Sequence, residues 1–281
     1  MSFHYQVPKR FSDLNLGGHV DHAVLIDYLQ EARTELLLTA PDPMPAMLDS
    51  GVLVTGHRVE YLAPIGYQDP TVDAEVWIDQ VGAARFSISY RLTDAETPVV
   101  RARTFCVPYN LDEQALRRLE PAERELLTGA AREPVDLVGL PKQRVDLSTG
   151  HQLPTRVRWA DLDSYRHVNN VKFFDYVAEG RMALLRESEA LDRSAPWVVR
   201  RQDLDYRLPI DFRREPYLVR TAITDIGDSS CMLVADIVDP VDDRCFAAVR
   251  TVLVQVNADG QPSPISADLR DRLTRWQLPV E

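Results

Sequence analysis

The stretch RWADLDSYRHVNNVKFFDYVAEGRMALL, residues 158–185, decides how the rest of the chain is read, because RFSDLNLGGHVDHAVLIDYLQEARTELL at residues 10–37 answers it without a gap. Arg10 aligns with Arg158, Asp13 with Asp161, His19 with His167, Asp27-Tyr28 with Asp175-Tyr176, Glu31 with Glu179 and Arg33 with Arg181. Chance does not pair so many polar residues, and self-similarity at a fixed offset marks a repeated structural unit. After His-Val in each copy, Leu25, Tyr28, Ala32 and Leu36, and then Phe174, Val177, Arg181 and Leu184, recur with helical spacing. That spacing gathers them on one face and predicts a well-buried helix.

Outward from the motif the register persists. VEYLAPI (59–65) answers LDYRLPI (204–210), Arg103-Thr104 answers Arg250-Thr251, and Asn110 answers Asn257. Val72, Ala74, Val76 and Ile78 alternate with polar residues, as do Phe86, Ile88, Tyr90 and Leu92, which is the period of a strand. The second copy repeats this pattern from about Tyr217 to Val256. Each copy closes on a short helical signal, PAERELL and SADLRDRL, with Ser266 placed as an N-cap for the latter. One buried helix followed by antiparallel strands describes an α+β module in which a sheet wraps a helix. The expected organisation is a first module over 1–130, a linker over 131–150 marked by Pro134, Gly139, Pro141 and Gly150, and a second module over 151–281.

Composition narrows the function. With 45% hydrophobic and 27% charged residues the chain reads as a soluble globular protein, without a run long enough to span a bilayer or an apolar leader at its start, so a cytoplasmic location is expected. A net charge of -11 argues against nucleic acid, which is bound by clustered Lys and Arg, and it requires any phosphate recognition to be local. Cys106, Cys231 and Cys245 lack metal-ligand spacing and sit in apolar runs, which reads as reduced packing residues.

The segment DLDSYRHVNN followed by VKFFDY resembles the opening motif of hot-dog thioesterases of the 4-hydroxybenzoyl-CoA thioesterase type, and especially the second half of plant acyl-ACP thioesterases. The first copy, with Gly17-Gly18 and Glu-Ala-Arg near the helix end, resembles the small bacterial acyl-CoA thioesterases of the same superfamily. The resemblance implies a tandem double hot-dog that hydrolyses a fatty-type acyl thioester carried on CoA or acyl-carrier protein, without a metal or organic cofactor. It also leaves room for assembly into homo-oligomers of double hot-dog chains.

By the same resemblance the working carboxylate is the second acid of the Asp-x-Asp motif, Asp163, as general base or nucleophile, where the first copy carries Asn15. An amide cannot take a proton from water, so the two copies are expected to differ in function. His167 is a candidate to orient water, and Asn169 and Asn170 to cap the helix or hold a water; a helix starting just after His167-Val168 would offer unpaired N–H groups as an oxyanion site. Asn15, His19, Asp21 and His22 form a second candidate site in the first copy. Their crowding at one helix start argues against zinc. Tyr165 and Pro209 stand where plant enzymes carry an Asn and a Glu, so that full catalytic set does not transfer. Glu31 and Arg33, with Glu179 and Arg181, read as structural bonding to the sheet, and Arg200-Arg201 and Arg213-Arg214 as solvated faces or anion contacts. A hot-dog enoyl-thioester hydratase or dehydratase, or a non-catalytic acyl-CoA binding protein, are the competing readings.

Overall fold

In the computed structural model, which describes residues 2–192 and 195–281, the chain divides into two units, Met1–Val138 and Gly139–Glu281. The first contains β1 (Phe3–Pro8), α1 (Val24–Thr39), α2 (Met44–Ser50), β2 (Val52–Tyr61), β3 (Thr71–Val81), β4 (Phe86–Asp94), β5 (Thr97–Asn110), β6 (Ala115–Leu116) and α3 (Pro121–Ala130). Its strands pair antiparallel in the order β1-β3-β4-β5-β2, with β6 on the end of β5. The second contains β7 (His151–Thr155), α4 (Lys172–Glu187), β8 (Trp197–Tyr206), β9 (Tyr217–Ile226), β10 (Ser230–Val238), β11 (Cys245–Gln255) and α5 (Ala267–Thr274). Its order, β7-β9-β10-β11-β8, is the same path. The α+β tandem hot-dog architecture is therefore present in both halves.

Each long helix lays its apolar face on its own sheet. Leu25, Tyr28, Leu29 and Ala32 of α1 are buried with Val72, Ala74 and Val76 of β3 and Ile88, Tyr90 and Leu92 of β4, whereas Leu36 is only half-buried. Phe174, Val177 and Leu184 of α4 are buried in the second unit, where Leu184, Ile223, Leu233, Leu253, Leu269 and Leu273 form one cluster. Each such side chain contributes about 1.5–3 kcal/mol when fully buried. The helix packs tightly on the sheet at Gly180, where a Cβ would lie 2.6 Å from Val219 Cγ1; the first unit has Ala32 at that position. Ser266 caps α5 by accepting from Leu269 N at 3.2 Å, as its sequence suggested. Helix α2 has no counterpart in the sequence reading.

Two β-bulges recur. The β2–β5 ladder skips Thr55, and the β8–β11 ladder skips Arg200, the residue at the same place. Likewise the β3–β4 ladder skips Asp79 and the β9–β10 ladder skips Thr224. A bulge re-aims the extra side chain. Asp79 accepts from both Nε and Nη2 of Arg103, at 2.8 and 2.9 Å, and from the hydroxyls of Ser87 and Ser89, while Thr224 donates to Gln143 Oε1 at 2.8 Å. Residues of the expected linker bond to the units on either side: Val135 N donates to Ser89 Oγ and Glu133 O accepts from Trp77 Nε1 in the first, and Leu140 N donates to Asp203 Oδ2 in the second. Among the described residues, no helix is long and apolar enough to cross a membrane.

Candidate functional site

The motif folds in both units as a short 3-10 turn, a tight loop and the entry to the long helix. Its first acid is structural. Asp13 accepts from Arg10 N and Tyr28 Oη, both at 2.7 Å, and Asp161 accepts from Arg158 N at 2.8 Å and Tyr176 Oη at 2.7 Å. The paired carboxylate tethers the turn to the helix, and burial followed by this hydrogen bond pushes each tyrosine phenol far above its ordinary pKa. Across the loop Leu14 bridges Val20 and Leu162 bridges Val168. The turn needs a left-handed residue, supplied by Gly18 at φ 76° in one copy and by Arg166 at φ 66° in the other.

The second position of the motif is where the copies part. Asn15 is exposed and spends its Oδ1 on the loop itself, accepting from Gly17 N at 2.8 Å and His19 N at 3.3 Å. Asp163 makes the same turn, its Oδ1 accepting from Tyr165 N at 2.8 Å, but is half-buried. Burial pushes the Asp163 carboxyl above the ordinary aspartate pKa, opposed by the backbone N–H groups of Tyr165 and His167. A carboxylate raised in this way is a stronger base than an exposed one.

His167 shares the loop with Asp163, whose N–H donates to the His167 carbonyl at 2.9 Å. Its imidazole Nε2 lies 3.6 Å from Oδ1 of Asp211, a residue the sequence reading did not single out. The signal was present: Asp211 directly follows LPI, where the first copy has Gly66. His19 is exposed.

At the helix entry, Asp21 and Asn169 close equivalent turns two residues before the N-cap positions Ala23 and Val171. Asp21 Oδ1 accepts from Ala23 N at 2.9 Å and faces His22 Nδ1 at 3.1 Å. Asn169 Oδ1 accepts from Val171 N at 3.3 Å and from Asn170 Nδ2 at 3.1 Å. Tyr206 Oη donates to the Asn170 carbonyl at 2.7 Å. Helix α4 begins at Lys172, later than expected, and Asn169 already takes Val171 N–H by its side chain and Lys172 N–H by its carbonyl. The expected oxyanion cradle is thus partly filled by Asn169 of the loop itself.

Other expectations resolve individually. Arg33 and Arg181 are buried, but Glu31 and Glu179 are exposed, so only the arginine of each pair is packed inward. Arg201 binds Asp203 at 2.8 Å, and Arg213 binds Asp239 at 2.5 Å while lying 3.8 Å from the Tyr217 ring. The three cysteines are free, and burial pushes Cys106 to about 11 and Cys231 to about 12, which keeps them protonated. Beyond the loop, Leu208, Pro209, Asp211, Arg213, Tyr217 and Phe246 help line an open cavity of about 400 Å³ in the second unit.

Known structures share this fold across nearly the whole chain. The 12:0-ACP thioesterase from Umbellularia californica superimposes with a TM-score of 0.75 at 17% identity, over 90% of this chain and 94% of that one. A Lactobacillus plantarum protein described as an oleoyl thioesterase gives 0.73 at 16% identity, over 91% and 96%. An acyl-ACP thioesterase from Bacteroides thetaiotaomicron gives 0.68 at 12% identity, over 90% and 97%. No curated protein matches the chain. The family model described as the thioesterase-like superfamily matches residues 10–133 and again 157–273, one match in each unit. The chain belongs to the thioesterase-like superfamily.

Proposed function

We propose that this protein hydrolyses a fatty-type acyl thioester, carried on CoA or acyl-carrier protein, and that Asp163 of the second unit acts as the general base. The observation that carries the reading is the pair Asn15 and Asp163. Both sit in the same hydrogen-bonded turn, so the turn does not require an acid, yet only the second copy keeps one, and there it is half-buried with its pKa raised. Water gives its proton to Asp163, the resulting oxygen nucleophile adds to the thioester carbonyl, and collapse of the adduct expels the thiolate, which is protonated as it leaves. His167, beside Asp211, positions the water, and the positive end of the α4 dipole favours the developing oxyanion. Asn169 and Asn170 hold the loop against the helix. Asn15 cannot serve as a base, so the first unit contributes no equivalent acid site; His19, Asp21 and His22 shape its loop.

Release of free thiol from a panel of acyl-CoAs and acyl-carrier proteins tests this. Asp163→Asn, which retains the turn as Asn15 does, is expected to lower kcat by at least about 100-fold. Unchanged turnover would overturn the assignment to Asp163, and hydration of an enoyl-CoA without thiol release would overturn hydrolysis itself.

A further inference from the structure

The acid-bearing unit sets about one aromatic pair a group of arginines that the other unit largely lacks. Trp159 and Phe212 stand edge to face with centroids 5.3 Å apart, and they are 74% and 43% exposed. The corresponding pair in the first unit, Phe11 and Tyr67, has centroids 6.0 Å apart and is 76% and 44% exposed. Rings left so open are not serving the core of either unit.

What differs is the charge around them. Arg156, Arg158, Arg166 and Arg214 are all exposed, and among the described residues no carboxylate forms an ion pair with any of them. Their counterparts in the first unit are Pro8, Arg10, Gly18 and Asp69. In a chain of net charge -11, four guanidinium groups without an ion-pair partner stand here, beside Asp161, Asp163, Asp211 and Glu215. Arg213, engaged with Asp239, is not among them.

Three contacts make these residues one surface. The Trp159–Phe212 ring contact joins the turn at 158–161 to the loop after β8. Val168 N donates to Ile210 O at 2.8 Å, and His167 bridges Asp211, which joins that same loop to the motif loop holding Asp163 and Arg166. Trp159 is four residues from Asp163, at most about 14 Å along the chain. An extended pantetheine–diphosphate arm covers that span.

We infer that Trp159, Phe212, Arg158, Arg166 and Arg214 form a subsite for the adenosine 3',5'-bisphosphate end of coenzyme A. Open aromatic faces stack a purine, and unpaired guanidinium groups take its phosphates by charge-assisted hydrogen bonds. The inference rests on the thioesterase reading for its link to Asp163, but the binding of the nucleotide can be measured without catalysis.

The probe is adenosine 3',5'-bisphosphate alone, titrated calorimetrically into the full chain, beside steady-state kinetics on an acyl-CoA and on the matching acyl-N-acetylcysteamine thioester, which lacks the nucleotide. Trp159→Ala and Arg214→Gln are each expected to weaken nucleotide binding and raise KM for the acyl-CoA by about tenfold, with kcat/KM for the truncated thioester unchanged. Phe11→Ala, the same truncation in the other unit, should change neither. Wild-type protein that does not bind the nucleotide overturns the subsite, whether or not it hydrolyses thioesters. Equal loss on both substrates makes Trp159 a structural residue and overturns it too, as does a defect confined to acyl-carrier-protein substrates, which would mark a protein-docking face. Nucleotide binding without thiol release from any substrate would leave the subsite standing and remove the thioesterase reading.

Discussion

The loop at residues 13–21 and the loop at 161–169 have one backbone plan and two chemistries. In each, the first Asp ties the 3-10 turn to a helix tyrosine, the next-but-one residue accepts loop N–H groups through Oδ1, and a third Asp or Asn closes the turn into the helix. What changes lies at the side chains of 15–18 against 163–166 and of 21 against 169, with His22 against Asn170 just beyond. The comparison teaches that the hydrogen bonds of Asp163 are no evidence for catalysis, because Asn15 makes them as well. The acid's burial and protonation behaviour are what set it apart.

The largest effect that would break the contrast is on pH. If ionised Asp163 is the base, kcat/KM falls about tenfold per pH unit on the acid side, with a midpoint above 3.8, the ordinary value from which burial raises this group. The sign for stability is opposite. A carboxyl whose folded pKa is raised contributes most below its unfolded value and loses that contribution as pH rises through the folded pKa, so Asp163→Asn should melt no lower than wild type at neutral pH. A midpoint at or below 3.8 would count against the burial argument, as would a variant melting several degrees lower.

The tyrosine tethers come next. Tyr176 meets Asp161 with both residues buried, whereas Tyr28, itself buried, meets a half-buried Asp13. Tyr176→Phe should cost roughly 1.5–3 kcal/mol by denaturant unfolding and Tyr28→Phe less. Equal losses would mean that burial does not distinguish the two loops. Gly180→Ala, which sets a methyl 2.6 Å from Val219 Cγ1, should destabilise by about 1–3 kcal/mol, although the first unit carries alanine there. The smallest effect is expected for Arg166→Gly: relief of a left-handed non-glycine residue at φ 66° should raise stability by roughly 0.5–1 kcal/mol, and a loss instead would show that the arginine side chain is holding the loop.

Much of this is legible in the sequence, for a physical reason. The helices and strands announce themselves through periodic burial, and the repeat exposes the turn because its polar residues bond to one another within a few positions: Asp13 to Arg10, and Asp161 to Arg158. Contacts between distant segments carry no such local mark. His167 meets Asp211 and Arg213 meets Asp239 only because β8, β9 and β10 return to the same place. The burial of Asp163, the exposure of Glu31 and Glu179, and the late start of α4 likewise depend on how the loop settles onto its sheet, which spacing alone does not report.

The recurring bulges act as fixed marks along a duplicated chain. Asp13 and Asp161 lie 148 residues apart, the bulged pairs Thr55 and Arg200, and Asp79 and Thr224, lie 145 apart, and Arg103 and Arg250 lie 147 apart. Three residues have therefore been lost between the motif and β8, and two gained around the β10–β11 turn, while the stretch from one bulge to the next has kept its length. Since one residue more or less inside a strand would turn its side chains to the opposite face, length change has been channelled into connections. Engineered insertions in this protein are best directed to the same two connections.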